Sequence, residues 1–498
     1  MPETAWETLT RAMADLRALS ATSALLQWDQ ETYMPPKGWE ARGDQLAAIQ
    51  GAQHERLTAP AVADALARAE AERSPEPDRA AALRVLRFDH DRAARIPGDL
   101  VRAIAQAQAA GVAAWKAARE AGDFGRFAPA LERLLALRRE QASAYGVPPG
   151  GEPYDALLEG YEPGMRVARL EPLFAHLVSW LTPLVERITA RPPPDDAFLR
   201  GRFDVEQQWQ FTLELLDAVG FDRAAGRQDR SIHPFSLGLD PGDVRVTTRL
   251  FEERPLSAIF STLHEAGHGL YEQNLPLDLR RSVLCAVPSM GLHESQSRLW
   301  ENLVGRSLAF WRAFLPRLAR RFPALAGVPP EAFTRAVNKV ERSRVRVEAD
   351  EVTYNLHVVL RFELELLLLR GSLPVKDLPE AWDARSERLL GIRPRRAAEG
   401  VLQDIHWAWG DLGYFPTYTL GNVYAASLFA AARRQVSGLE DAIAEGDLRP
   451  LLGWLVEHVH RVGRRKEAEE IVRDATGNGL TDRDLEAYLT AKYEGPSR

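Results

Sequence analysis

Apolar residues recur at spacings of three and four along most of the chain, the mark of helices that bury one face. Residues 4–20, 40–70 and 77–145 carry this period in stretches rich in Ala, Leu, Arg and Glu, which favour helix. Pro35 and Pro36, then Pro75 and Pro77, punctuate them, and residues 147–153 read as a loop. Further helices are expected from about 168 to 190, stopped by the prolines at 192–194, and over 205–219, ending at Gly220. One zone breaks the period. In residues 232–251 a turn at Asp240, Pro241, Gly242 and Asp243 precedes alternating β-branched residues, which predicts a small antiparallel β element. Helices then resume to the C-terminus, interrupted by a loop-like aromatic segment, Trp407 to Asn422. No repeat or long linker divides the chain. The expected fold class is mostly α: a single domain, 1–498, arranged as two lobes around a cleft.

Composition narrows the partners. A net charge of −7 with no basic stripe argues against nucleic acid and against an anionic membrane surface. No apolar run reaches the length of a membrane-spanning helix. Cys285 is the one cysteine, so no intrachain disulfide forms. Together with an N-terminus that lacks a charged and then apolar leader, this points to the cytoplasm. Arginine supplies 57 of the 63 basic residues, so an isolated arginine carries little information here.

The segment that carries chemistry is His264, Glu265, Ala266, Gly267, His268. Pro255 suits the first turn of its helix and Asn274 to Pro276 suit its end. Histidines four apart project from one helix face, so both imidazoles can reach one ion. Glu265 is rotated by about 100° from His264. It can take a proton from metal-activated water and return it to a leaving amine without ligating the metal. A catalytic zinc site needs a third protein ligand and an open position. The segment Ser289 to Glu301 offers two carboxylates, Glu294 and Glu301. Glu294 is favoured, because it lies near a helix start. His293 is expected to line the site or to stabilise the transition state, and Glu272 to sit behind the ligands or in solvent. Two imidazoles and a carboxylate suit zinc, with cobalt also acceptable.

Five ordered segments extend the case. They are Asp243, Arg245 and Thr247; His264 to His268; His293, Glu294, Ser295 and Gln296; Val345, Arg346, Ala349 and Asp350; and Gly400, Gln403, Asp404, His406 and Trp407. In this order and spacing the chain resembles the carboxypeptidase Taq family of metallocarboxypeptidases over almost its whole length. Val345 stands where Ile or Met is usual, and Ala266 where Phe is common. The resemblance implies a large helical zincin-like fold with a long central groove, and a homodimer. It also implies removal of single residues from peptide C-termini with broad specificity, and Glu294 as the third ligand. Within those motifs, Arg346 is the expected anchor of the substrate carboxylate, because a guanidinium fork pairs with both oxygens. Arg245 is the weaker choice. His406 is expected to bind the same carboxylate or the oxyanion, and Tyr418, ahead of Tyr414, to line the groove. Asp350 and Asp404 are expected to orient an arginine or histidine. The rival readings are an endo-oligopeptidase or dipeptidyl carboxypeptidase with a similar groove, and a helical peptide-binding scaffold.

Overall fold

A computed structural model describes residues 3–495. Helices dominate, as the apolar period requires. Two of them match the expected bounds closely, Val167–Thr189 and Val205–Val219. The longer expected helices are interrupted where the backbone demands it. The 40–70 stretch divides into Trp39–Leu57 and Pro60–Ala71, because Pro60 lacks an N–H and starts a new first turn. The 77–145 stretch becomes Pro77–Arg95, Gly98–Ala121 and Ala128–Tyr145. Gly122 ends the second of these in the left-handed region, φ 68°.

The sheet is mixed rather than purely antiparallel. Strands β2 (Ser236–Asp240) and β3 (Asp243–Thr248) form the expected antiparallel hairpin. A third strand, β1 (Gly226–Arg230), pairs with β3 in parallel on its other edge. It lies outside the expected zone, because its sequence is polar and has no β-branched alternation. Val244 and Val246 of β3 turn inward. Val246 and Phe221 lie so close to Gly269 that an added Cβ there would meet both. The sheet therefore packs directly on the helix that carries the histidines.

The main core joins helices from Trp115 to Leu489 in one cluster. A smaller cluster pins the N-terminal helices through Leu9, Met13, Val62, Leu66 and Leu86 to Val283 and Leu284. No residue of helix Trp39–Leu57 is fully buried. Among the described residues no helix is long and apolar enough to cross a membrane.

Candidate active site

Three helices build the centre. Pro255–Gln273 presents His264 and His268, and Met290–Arg298 presents Glu294. Pro416–Gln435 packs across the second. Glycines set the approach of each pair. A Cβ on Gly267 would lie 2.4 Å from the Gln296 carbonyl oxygen, and one on Gly421 would lie 2.6 Å from Cγ of Glu294. Only glycine lets the three backbones come this close.

The result is a convergent donor set. The ligand atoms of His264, His268 and Glu294 all lie within 4.8 Å of one another. Glu294 Oε2 is 3.7 Å from His264 Nε2 and 3.3 Å from His268 Nε2. A tetrahedral ion with bonds of about 2.0–2.1 Å would separate its donors by about 3.3 Å, so these residues fit a zinc-sized cation. His264 Nδ1 lies 2.8 Å from Glu301 Oε2. A carboxylate only accepts, so Nδ1 carries a proton, and Nε2 is the nitrogen a metal would take, displacing any proton on it. Glu301 therefore sits behind His264, outside the convergent donor set. Arg298 donates from Nε to Glu294 Oε1 at 2.6 Å, and Ser297 Oγ donates to Oε2 at 3.0 Å. His268 Nδ1 is buried without a partner among the described residues.

Electrostatics at the centre follow from burial against neighbouring charge. Burial and the adjacent His293 push His268 down to about 3. At His264 burial also opposes the charge, but Glu294, Glu301 and Glu265 outweigh it and lift the group to about 9. Burial raises Glu265 to about 7 against the pull of His264. A dication beside it would lower that value again. The His293 ring packs on His268 with centroids 4.3 Å apart, and its Nε2 is 3.3 Å from Glu272 Oε1.

A second cluster lies one tyrosine away. Arg346 is buried and donates from Nε and Nη2 to Asp404 Oδ1 at 3.0 and 2.9 Å. Its Nη1 donates to the Tyr354 hydroxyl at 2.8 Å. Arg361, fully buried, donates from Nε to the other oxygen of Asp404 at 2.7 Å. Two guanidinium groups thus share one carboxylate, leaving a buried positive charge. His406 Nε2 lies 3.3 Å from the Tyr418 hydroxyl. Burial, reinforced by Arg346, pushes His406 down to about 3, so it is neutral. Tyr354 joins the two clusters: Arg298, which holds Glu294, stacks 4.3 Å over its ring.

Tyr418 does not lie in a loop. Pro416 opens a helix, and Tyr418 occupies its first turn, where proline's fixed φ is already helical. Asp350 is bonded to Glu341 N and to Thr353, so it braces the segment that holds Arg346 without touching the guanidinium. Asp404 does orient Arg346. Arg245 pairs with Asp243 and stacks on Trp28, away from the second cluster. Sequence reasoning missed Arg298, Tyr354 and Arg361. One signal was available. His357, Arg361 and Glu365 recur every four residues in a predominantly apolar helix, Tyr354–Leu369, and all three are buried. Buried charge at that spacing demands partners.

Comparison with known proteins shows the family. The family model for carboxypeptidase Taq (M32) metallopeptidases matches residues 8–493. The chain belongs to that family. It is 45% identical to thermostable carboxypeptidase 1 of Thermus thermophilus, over 99% of both chains. The crystal structure of an M32 carboxypeptidase from Deinococcus radiodurans superposes with a TM-score of 0.96 at 42% identity, covering 99% of each chain. A Pyrococcus furiosus carboxypeptidase superposes with a TM-score of 0.94 at 34% identity, covering 98% of this chain and 99% of its own.

Proposed function

We propose that this metallopeptidase is a zinc carboxypeptidase that releases single residues from peptide C-termini with broad specificity. One observation carries the reading. A three-donor cluster of metal-ligand spacing stands one tyrosine from a buried, positively charged cluster built of Arg346, Arg361 and Asp404. Such a pairing suits a substrate whose scissile carbonyl and terminal carboxylate are separated by a single residue. A divalent ion held by His264, His268 and Glu294 supplies Lewis acidity, polarising the carbonyl and acidifying water; cobalt fits the same donors.

The remaining steps belong to the chain's own side chains. Arg346 donates to the terminal carboxylate, which supplies the second anion that its cluster lacks. Neutral His406 adds an N–H, and the Tyr418 hydroxyl adds another donor. Glu265 accepts the proton of the attacking water and passes it to the departing amine nitrogen. His293, beside His268, donates to the oxyanion as it forms. We further read the chain as one catalytic domain, 1–498, that works in the cytoplasm as a homodimer. Sedimentation of the purified protein tests the dimer.

Metal analysis paired with mass spectrometry of peptide digests tests the activity. The expected result is about one zinc per chain and a ladder of single-residue losses from free C-termini, abolished by chelator. C-terminally amidated peptides should be cut at least tenfold more slowly, since charge-assisted hydrogen bonds contribute about 1.5–3 kcal/mol. Glu265→Gln should keep the metal and lose most turnover. Release of dipeptides or internal fragments would overturn the exopeptidase reading.

A further inference from the structure

None of the residues assigned to the reaction lines a cleft of about 1010 Å³, which meets the first cluster only through Arg306, 3.5 Å from Glu301. It opens between the prolines at 192–194, helix Pro330–Val337 and the C-terminal helix Arg483–Glu494. Its volume is at the upper end of the range for small-molecule sites. Leu303 and Phe429 give it a buried apolar floor, flanked by Tyr488 and Tyr493.

Seven basic side chains line this cleft against three acidic ones. Most of the cations are satisfied. Lys492 is bound to Glu351, Lys339 to Asp196 and Glu341, and Arg433 to Glu440. Arg335 and Arg342 are different. Neither pairs with a carboxylate among the described residues, and Arg342 reaches only the Leu390 carbonyl, at 3.4 Å. Thr334 Oγ1 and Asn338 Oδ1 are buried in the same wall without hydrogen-bond partners among the described residues. Two free guanidinium forks at the rim, an apolar floor and idle polar atoms between them make up a receptor for a charged head on an apolar body.

We propose that this cleft is a second binding site, for an organic anion with an apolar body. An inorganic anion would leave the floor unused, and a neutral apolar ligand would leave both guanidiniums unpaired. The segment that lines the cleft runs from Asn338 to Arg342 without regular structure and continues into Arg346. The two sites therefore share one stretch of chain.

The test is fluorescence titration of the metal-loaded protein with anilinonaphthalene sulfonate, an aromatic sulfonate. Decanoate and inorganic phosphate serve as competitors. Saturable uptake of about one dye per chain is expected, displaced by decanoate but not by phosphate. Arg335→Glu combined with Arg342→Glu should weaken dye affinity at least tenfold while peptide hydrolysis and Tm stay unchanged. If that pair lowers Tm, the neutral pair Arg335→Gln and Arg342→Gln makes the same comparison in a folded protein. Dye affinity unaltered in the variants, or displacement by phosphate as strong as by decanoate, overturns the proposal.

Discussion

Glu301 shows how a single hydrogen bond decides a role. It and Glu294 are seven residues apart, and either could be read as the third ligand. The structure puts Glu301 on the Nδ1 side of His264 and Glu294 on the Nε2 side. Arg298 and Arg306 hold Glu301 ionised, Arg298 Nη1 at 3.4 Å and Arg306 Nη2 at 3.5 Å. Burial opposes that charge, but the His264 hydrogen bond and Arg298 overcome it and depress the group to about 2. An ionised partner raises the basicity of the imidazole it holds. Glu301→Gln keeps an acceptor of the same shape but removes the charge. It should weaken metal binding roughly 10- to 100-fold, read by competition against a calibrated chelator. Unchanged affinity would mean that Glu301 only fills space.

At the scale of elements, the geometry of the centre is a matter of helix approach. Helix Met290–Arg298 is pressed between Gly267 on one side and Gly421 on the other. Gly421→Ala would drive a methyl group into Glu294. Overpacking of this kind costs about 1–3 kcal/mol, and here the group displaced is the proposed carboxylate ligand. The expected outcome is a lower urea midpoint together with weaker metal binding. A stable variant with normal metal content would show that the helices can separate freely. The helices themselves were legible in the sequence, because an apolar stripe at helical period states which face is buried; Val205–Val219 was placed to the residue. That the histidine pair would share one helix face was legible for the same reason, since spacing on one helix fixes direction. Strand β1 was not legible. Gly226–Arg230 is polar, and it is a strand only because β3 offers a parallel edge. Nor was the partnership of Arg346 with Arg361, as residues on separate elements meet only through tertiary packing.

Across the whole molecule, stability should fall as pH rises through neutrality, and two buried carboxyl groups supply the reason. Glu162 accepts the Gly291 N–H, while the Tyr161 carbonyl accepts the Met290 N–H at 2.9 Å. Together they clamp the start of the helix that carries Glu294. Burial lifts Glu162 to about 8, against the hydrogen bonds that favour its charge. Glu365 ties three distant segments by accepting from Tyr154, Trp407 and Gly413, and burial lifts it to about 7. In the unfolded chain both would titrate near 4.5. Between that value and about 8 the native state holds protons that the unfolded state has released, so ΔG of unfolding decreases with rising pH. The contribution is complete below pH 4.5 and lost above about 8. Depressed groups act in the opposite sense: carboxylates such as Glu301 only below that starting value, and the buried histidines held near 3, His268, His357, His406 and His460, only below their ordinary 6.5. Tm measured from pH 7 to 9 should therefore decline. Glu162→Gln, which cannot ionise, should flatten part of that slope and overtake the parent protein above pH 8. Parallel curves for the two proteins would show that the Glu162 carboxyl is already charged in the native state at neutral pH.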